Sequence, residues 1–351
     1  MTAPICPAMA LAILLCIVPA RLVAAPLPAT LPRRGLPAMD PQFHTAFRYT
    51  TRIGLGPEQG ITRRDPSDAI KVGEHYYVWY TRTPRGPSGY DATVWYATSP
   101  DGLTWTERAE AVPRGAPGEW DDRSVFTPSI LVAKGRYSLL YTAVANPFND
   151  RTHTAIGMAV ADSPDGPWRK VRHNPVLSTG KHGTWAAGTK AVATEHGAWD
   201  SHRVDDACLL TRDGRYWLYY KGRQMGLAPS HTKLGVAIAA QPEGPYVKHE
   251  ANPVVRGGHE VLVWPHGEGV ASLLTGAGAP SVWYASDGIH FERKSAVRAV
   301  PRAPGAYRPD AFTDTKRGQG ITWGVSHMTA RGQMPWLVRF DCRLVPQAPA
   351  P

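Results

Sequence analysis

The chain has 351 residues, 43% of them hydrophobic, and a formal charge of +10. That is enough apolar material for one large domain or two small ones. Its 34 Gly and 33 Pro fall between short apolar runs, which argues against a disordered chain and for many short strands joined by turns. Only two of the four Cys lie beyond residue 16, and two cannot make a disulfide scaffold; scattered Lys and Arg without a basic-aromatic motif speak against nucleic acid as a partner.

In chain order, residues 8–19 (MALAILLCIVPA) form an apolar stretch too short to span a bilayer, followed by the small residues Val23-Ala24-Ala25. Residues 1–25 therefore read as a signal peptide, which implies a secreted or periplasmic protein with no integral membrane segment. Residues 26–62 read as a Pro-rich linker and an N-terminal segment, and 63–345 as the main domain. Cys6 and Cys16 fall in the signal, while Cys208 and Cys342 lie in apolar strand-like contexts and read as two buried thiols.

An internal repeat dominates the domain. Four segments share a turn: ATSPDGLTW (97–105), ADSPDGPW (161–168), AAQPEGPY (239–246) and ASDGIHF (285–291). Five others read as strand, Gly-containing turn, strand, opening at Asp65, Thr127, Asp206, His259 and Asp310. Their turn glycines, Gly73, Gly135, Gly214, Gly267 and Gly318, each stand eight residues after the opening residue. Two lead-ins align without a gap, WDDRSVFTPSILVAKGRYSLLY from Trp120 and WDSHRVDDACLLTRDGRYWLYY from Trp199, and HNPVL (173–177) matches ANPVV (251–255). Radial repetition of short four-stranded units predicts an all-β, five-bladed β-propeller.

In a propeller the first strand of each blade lines the axis, so the five opening residues should converge at one mouth. Packing alone would not place three Asp and a His there, because converging carboxylates repel and lose hydration. Two chemistries use such a cluster: cation binding by carboxylates and His, and paired acid–base catalysis. Inverting glycoside hydrolysis needs one group to activate water and another to protonate the leaving oxygen, about 6.5–9.5 Å apart. Glu260 beside His259, Asp68 after Asp65, and Asp205 beside Asp206 add candidates. So do Asp121, Asp122, Asp200 and His202 in the lead-in loops. Arg64 or Arg123 is expected to keep Asp65 charged, and a neighbouring carboxylate to raise the His259 pKa into a range suited to proton donation.

The segments RRDPSDAI (63–70), WDDRSVFTPS (120–129), WDSHRVDDACL (199–209) and GGHEVLVWP (257–265) resemble glycoside hydrolase family 117. These are five-bladed α-1,3-(3,6-anhydro)-L-galactosidases acting on neoagaro-oligosaccharides, related to arabinanase-like propellers. The resemblance runs from about residue 40 to 345 and departs from the family pattern at Ala207, where Pro is usual. It implies Asp65 as general base, Asp206 as the acid that tunes ionisation, and His259 as general acid with Glu260 beside it. It implies sugar contacts for Thr127 and His153, to which Arg123 is added as a substrate-binding candidate. It also implies that no cofactor is required, and that the N-terminal segment forms a homodimer contact.

Three other readings compete. One is a propeller glycosidase on an arabinofuranoside or a sulfated galactan unit, another a non-catalytic glycan-binding propeller. The third makes the axial cluster a structural site for Ca²⁺ or Mg²⁺.

Overall fold

The computed structural model describes residues 40–347, apart from 85, 87–89, 189, 276–279, 310 and 312–316. The expected signal peptide, the linker up to residue 39 and the opening residue Asp310 lie outside the described residues. Strands rich in β-branched and aromatic side chains, such as HYYVWYTRT at His75–Thr83, carry the architecture. The helical elements described are two single 3₁₀ turns, Pro41–Phe43 and Pro229–His231. No helix among the described residues is long and apolar enough to cross a membrane.

The strands form five antiparallel blades, as the repeat predicts. From the axis outward, blade one runs through Thr62–Arg64 with Ile70–Val72, then His75–Thr83, Thr93–Ser99 and Thr106–Val112. Blade two comprises Ser124–Ala133, Arg136–Val144, Ala155–Ala161 and Arg169–Lys170. Blade three comprises Arg203–Arg212, Arg215–Arg223, Lys233–Ala239 and Val247–Lys248. Blade four comprises Val261–Gly267, Gly269–Leu274, Ser281–Ala285 and Glu292–Ala296. Blade five comprises Arg302–Ala306, Ile321–Met328, Trp336–Leu344 and, from the other end of the chain, Arg48–Thr50.

Both faces of each blade are apolar, so each packs against two neighbours. Five buried clusters result, one at every blade–blade interface: around Trp79 and Tyr141, Leu140 and Leu218, Tyr219 and Val263, Trp264 and Phe340, and Tyr80 and Val325. The sheet begins ahead of the expected boundary at residue 63, because Arg48–Thr50 completes blade five. The apolar residues of that N-terminal segment, Phe43, Phe47, Ile53 and Leu55, are buried against the chain's own blades. Blades one and five are also stitched by main chain. Ala69 N–H donates to Ala306 O at 2.9 Å, and Arg308 N–H to Ala69 O at 2.9 Å. Asp68 accepts from Ala306 N–H at 2.8 Å and from Arg308 at 3.2 Å, so this candidate joins two blades.

The repeated lead-ins are staples. In blade two, Trp120 stacks on Tyr141, and buried Asp121 accepts from Tyr141 Oη at 3.2 Å and from Lys170 Nζ, on the outermost strand, at 2.7 Å. In blade three Trp199 lies tilted against Tyr220, and Asp200 accepts from Tyr220 Oη at 3.0 Å and from Lys248 Nζ at 2.5 Å. Asn174 and Asn252 likewise bond both backbone polar groups of Met158 and Val236. Asp121 and Asp200 thus hold outer strands, and Asp122 caps the loop by accepting from Gly118 and Asn146 N–H.

The fifth repeat unit departs from expectation. Gly318 does not turn a blade-five hairpin; Gly318–Gln319 pairs with Val261–Gly267 of blade four. The inner strand of blade five is Arg302–Ala306, whose residue equivalent to the Asp65 opening is Ala303. The pattern missed it because Ala replaces Asp there and a long insertion separates the two strands. Gly305 is required by close approach: a Cβ on it would lie 1.8 Å from Ser67 O.

The staples set the first test. Lys248→Met would leave Asp200 buried without its counter-charge, and the expected loss is about 3 kcal/mol of unfolding free energy. Chemical denaturation measures it; an unchanged midpoint would show that the outer strand is held otherwise.

Candidate active site

A regular strand sends successive side chains to opposite faces. The inner strands break that rule at equivalent places. Asp65 (φ 50), Thr127 (φ 46), Asp206 (φ 50) and Ala303 (φ 37) all have positive φ. In blades two, three and five the ladder shifts register at this point, between Phe126 and Ser129, Asp205 and Cys208, and Arg302 and Gly305. A bulge of this kind re-aims side chains. It costs about 1–3 kcal/mol for each non-Gly residue held there, and most for a β-branched one such as Thr127.

The four residues form a waist on the axis. Above it lies a cavity of about 100 Å³, lined also by Arg64, Tyr90, Phe126, Asp205, Lys221, His259 and Glu260. Below it a narrower space is lined by Ser67, Ser129, Cys208, Leu262 and Gly305. Of the sequence candidates, Arg64, Asp65, Thr127, Asp205, Asp206, His259 and Glu260 therefore share one cavity. His259 and Glu260 precede the first strand of blade four, in a bend, so strand alternation does not separate them. Cys208 and Cys342 are unbridged and half-buried, in different blades.

The charges are arranged in opposition. Arg64 Nε donates to Asp65 Oδ2 at 2.7 Å, and Asp65 N–H donates to His327 Nδ1 at 3.5 Å. Burial pushes the Asp65 carboxyl up, but Arg64, His327 and Lys221 together outweigh it and hold the group below its ordinary value. Lys221 Nζ lies 2.7 Å from Asp206 Oδ2 and 3.9 Å from Asp205 Oδ2. Here burial, helped by Asp205 and Asp65, prevails over Lys221 and raises the Asp206 carboxyl to about 6. His259 differs from expectation. Burial, then Lys221, lower it below 6.5, and the opposing pull of Glu260 and Asp205 does not compensate. Glu260 is itself committed elsewhere, since its Oε2 accepts from Ala303 N–H at 2.8 Å.

Three candidates stand differently. Arg123 does not reach Asp65; its Nε donates to Tyr90 O at 2.9 Å and so fixes the loop that brings Tyr90 to the cavity. Thr127 lines the cavity, with its hydroxyl donating to Thr142 Oγ1 at 2.6 Å. His153 is not among the residues lining this cavity; it is stacked on His182 at 4.0 Å beside His202, with its Nδ1 3.3 Å from His202 O. Burial, then His182, lower its pKa. Lys221, His327 and Tyr90 are the residues that sequence reasoning missed. Lys221 was legible only through the cross-strand pair Asp205↔Lys221, which needs the register. Among the described residues no group of three His, Cys, Asp or Glu side chains is arranged to hold a metal ion. Arg64 and Lys221 supply counter-charge to the axial carboxylates.

Residues 61–186 match the family model Glycosyl hydrolases family 43. A solved structure of Zg3597, a family 117 glycoside hydrolase produced by the marine bacterium Zobellia galactanivorans, is 35% identical with a TM-score of 0.75, over 87% of this chain and 92% of that one. Extracellular endo-alpha-(1->5)-L-arabinanase 2 of Bacillus subtilis (strain 168) is 30% identical over 115 residues, 32% of this chain. That match spans only 23% of the arabinanase. Fructan 1-exohydrolase IIa from Cichorium intybus, 12% identical with a TM-score of 0.53 over 86% of this chain and 57% of that one, shares the fold alone. Fold, site and relatives together define the class as the five-bladed propeller glycoside hydrolases. Within it, the chain belongs to glycoside hydrolase family 117.

Lys221 is the group through which the site's ionisation is tested. Because it lowers both Asp206 and His259, Lys221→Met is expected to move both titrations upward. The His259 ring resonances followed by NMR against pH would show it; a downward or absent shift would remove Lys221 from the account.

Proposed function

We propose that the enzyme hydrolyses the terminal glycosidic bond of an oligosaccharide of the neoagaro type, releasing 3,6-anhydro-L-galactose with inversion. The observation that carries the reading is one cavity lined by Asp65, whose carboxylate accepts from Arg64 Nε at 2.7 Å, together with Asp206, His259 and Glu260. Asp65 takes a proton from the attacking water, and Arg64 and His327 keep it ionised while it waits. His259 donates the proton to the leaving oxygen. Glu260 supports the protonated imidazole, and Lys221 sets the balance between Asp206 and His259. Thr127 borders the terminal sugar from the waist. The reaction draws on protein groups and water alone. The N-terminal apolar stretch and the similarity to an extracellular arabinanase support export, and export suits a role in agar breakdown.

Incubation with neoagarobiose tests the substrate: released anhydrogalactose is expected, and an intact disaccharide contradicts it. Asp65→Asn should lower turnover by about 10²–10⁴-fold, and near-normal turnover would exclude Asp65 as the base.

The pH profile of kcat/KM carries its own sign. The base must be deprotonated, and its pKa lies below 3.8. The acid must be protonated, and its pKa lies below 6.5. Activity is therefore expected to peak on the acid side and to fall as pH rises through the His259 pKa. Glu260→Gln removes a group that raises that pKa, so the alkaline limb should move lower still. An alkaline limb above neutrality would exclude His259 as the donor.

A further inference from the structure

Blade three carries a feature that hydrolysis as described leaves unused. Its first two strands pair Asp205 with Lys221, and, one rung further from the bulge on the same face, Arg203 with Arg223. Like charges directly opposite each other destabilise a sheet, and these two are also withdrawn from water. Arg203 is 6% exposed, and its Nε and Nη1 have no hydrogen-bond partner; neither does Nε of half-buried Arg223. Asp205 and Asp150 bear on Arg223 through space. Among the described residues no carboxylate lies within ion-pair distance of either arginine. Such orphaned buried donors are costly, and a sheet with no use for them would bury apolar side chains instead.

The position of the rung tells what it faces. The Asp205–Lys221 rung lines the catalytic cavity, so the arginines stand at its upper edge. Arg223 is close enough to press on His259, and both arginines bear on Tyr90, which lines the same cavity. The Arg203 guanidinium lies 5.5 Å over the Phe148 ring, and Phe148 stacks on Tyr90 at 4.4 Å. An aromatic platform beside two unpaired guanidinium groups, just outside the cavity that takes the terminal sugar, is suited to the next sugar of the chain when that sugar carries a negative charge.

We propose that Arg203 and Arg223 form a subsite for an oxyanion substituent, a sulfate ester or a carboxylate, on the sugar that adjoins the scissile bond. The assignment rests on the glycosidase reading for the direction of the sugar chain. The binding of an oxyanion at the rung does not depend on turnover. An oxyanion there supplies the acceptors that the guanidinium groups lack and relieves their mutual repulsion.

The test uses the whole protein and four probes: inorganic sulfate, galactose, galactose 6-sulfate and galacturonate. Sulfate should raise the wild-type melting temperature beyond what chloride does at equal ionic strength, and this excess should vanish in Arg223→Met. Calorimetry should show galactose 6-sulfate or galacturonate binding about tenfold or more tightly than galactose, the weight of one hydrogen bond to a charged group. Which of the two binds tighter identifies the substituent as ester sulfate or carboxylate. Arg223→Lys should keep part of the preference, which a merely structural role would not require. Equal binding of charged and neutral sugars, no binding of any sugar, or a preference that survives Arg223→Met would overturn the proposal. If the preference is found but neoagarobiose and its sulfated counterpart both stay intact, the subsite stands and the hydrolytic reading fails. Should Arg223→Met not fold, the wild-type comparison of sulfate with chloride and of the three sugars still decides.

Discussion

An acidic side chain aimed along the axis of a propeller requires a backbone that breaks strand alternation, and the rest of this site depends on that break. Asp65, Thr127, Asp206 and Ala303 adopt positive φ at matching points of four inner strands. The kink brings Asp205 and Asp206, neighbours in sequence, to the same cavity, where Lys221 reaches both. It also sets the Ala303 N–H where Glu260 accepts from it. The strain persists because five apolar interfaces and the closing strand Arg48–Thr50 hold the ring around it.

The same geometry separates two carboxylates that begin chemically alike. Asp65 gains an adjacent guanidinium through Arg64, its own sequence neighbour, and stays ionised in spite of burial. Asp206 shares its one ammonium with Asp205 and also feels Asp65, so burial wins. The Arg64 and His327 neighbours on one side, and the Asp205 and Asp65 neighbours on the other, thus turn equal residues into a standing anion and a group raised to about 6. Asp65 is thereby the standing anion that a general base must be, while Asp206 is left to tune the ionisation of the groups around it.

Much of the fold was legible because its signals are local. Turn glycines, the Trp-Asp lead-ins and the Asn-Pro segments each do their work within a few residues or one blade. Even so, the eight-residue count concealed a difference. Gly73 and Gly267 are the first residues of their turns, whereas Gly135 and Gly214 are the second. Asp65 and His259 therefore stand one residue further from the turn than Thr127 and Asp206. Blade five escaped the pattern because Ala303 has no side-chain chemistry to betray its position. Within the site, residues on opening positions were readable. Lys221, His327 and the arginine rung were not, since each matters through a cross-strand or cross-blade neighbour that only register reveals. The lowered pKa of His259 was hidden for the same reason: Glu260 is visible beside it in sequence, but the burial of His259 and then Lys221, which lower it, are not.

The opposition of Asp65 and Asp206 is tested most directly by following their side-chain carboxyl carbons by ¹³C NMR across pH, with the two signals assigned through Asp65→Asn and Asp206→Asn. Asp206 is expected to titrate at about 6 while Asp65 stays ionised to below 3.8. If the two carboxyls titrate together, or Asp65 is the one that protonates near 6, the charge arrangement on which the site rests is wrong.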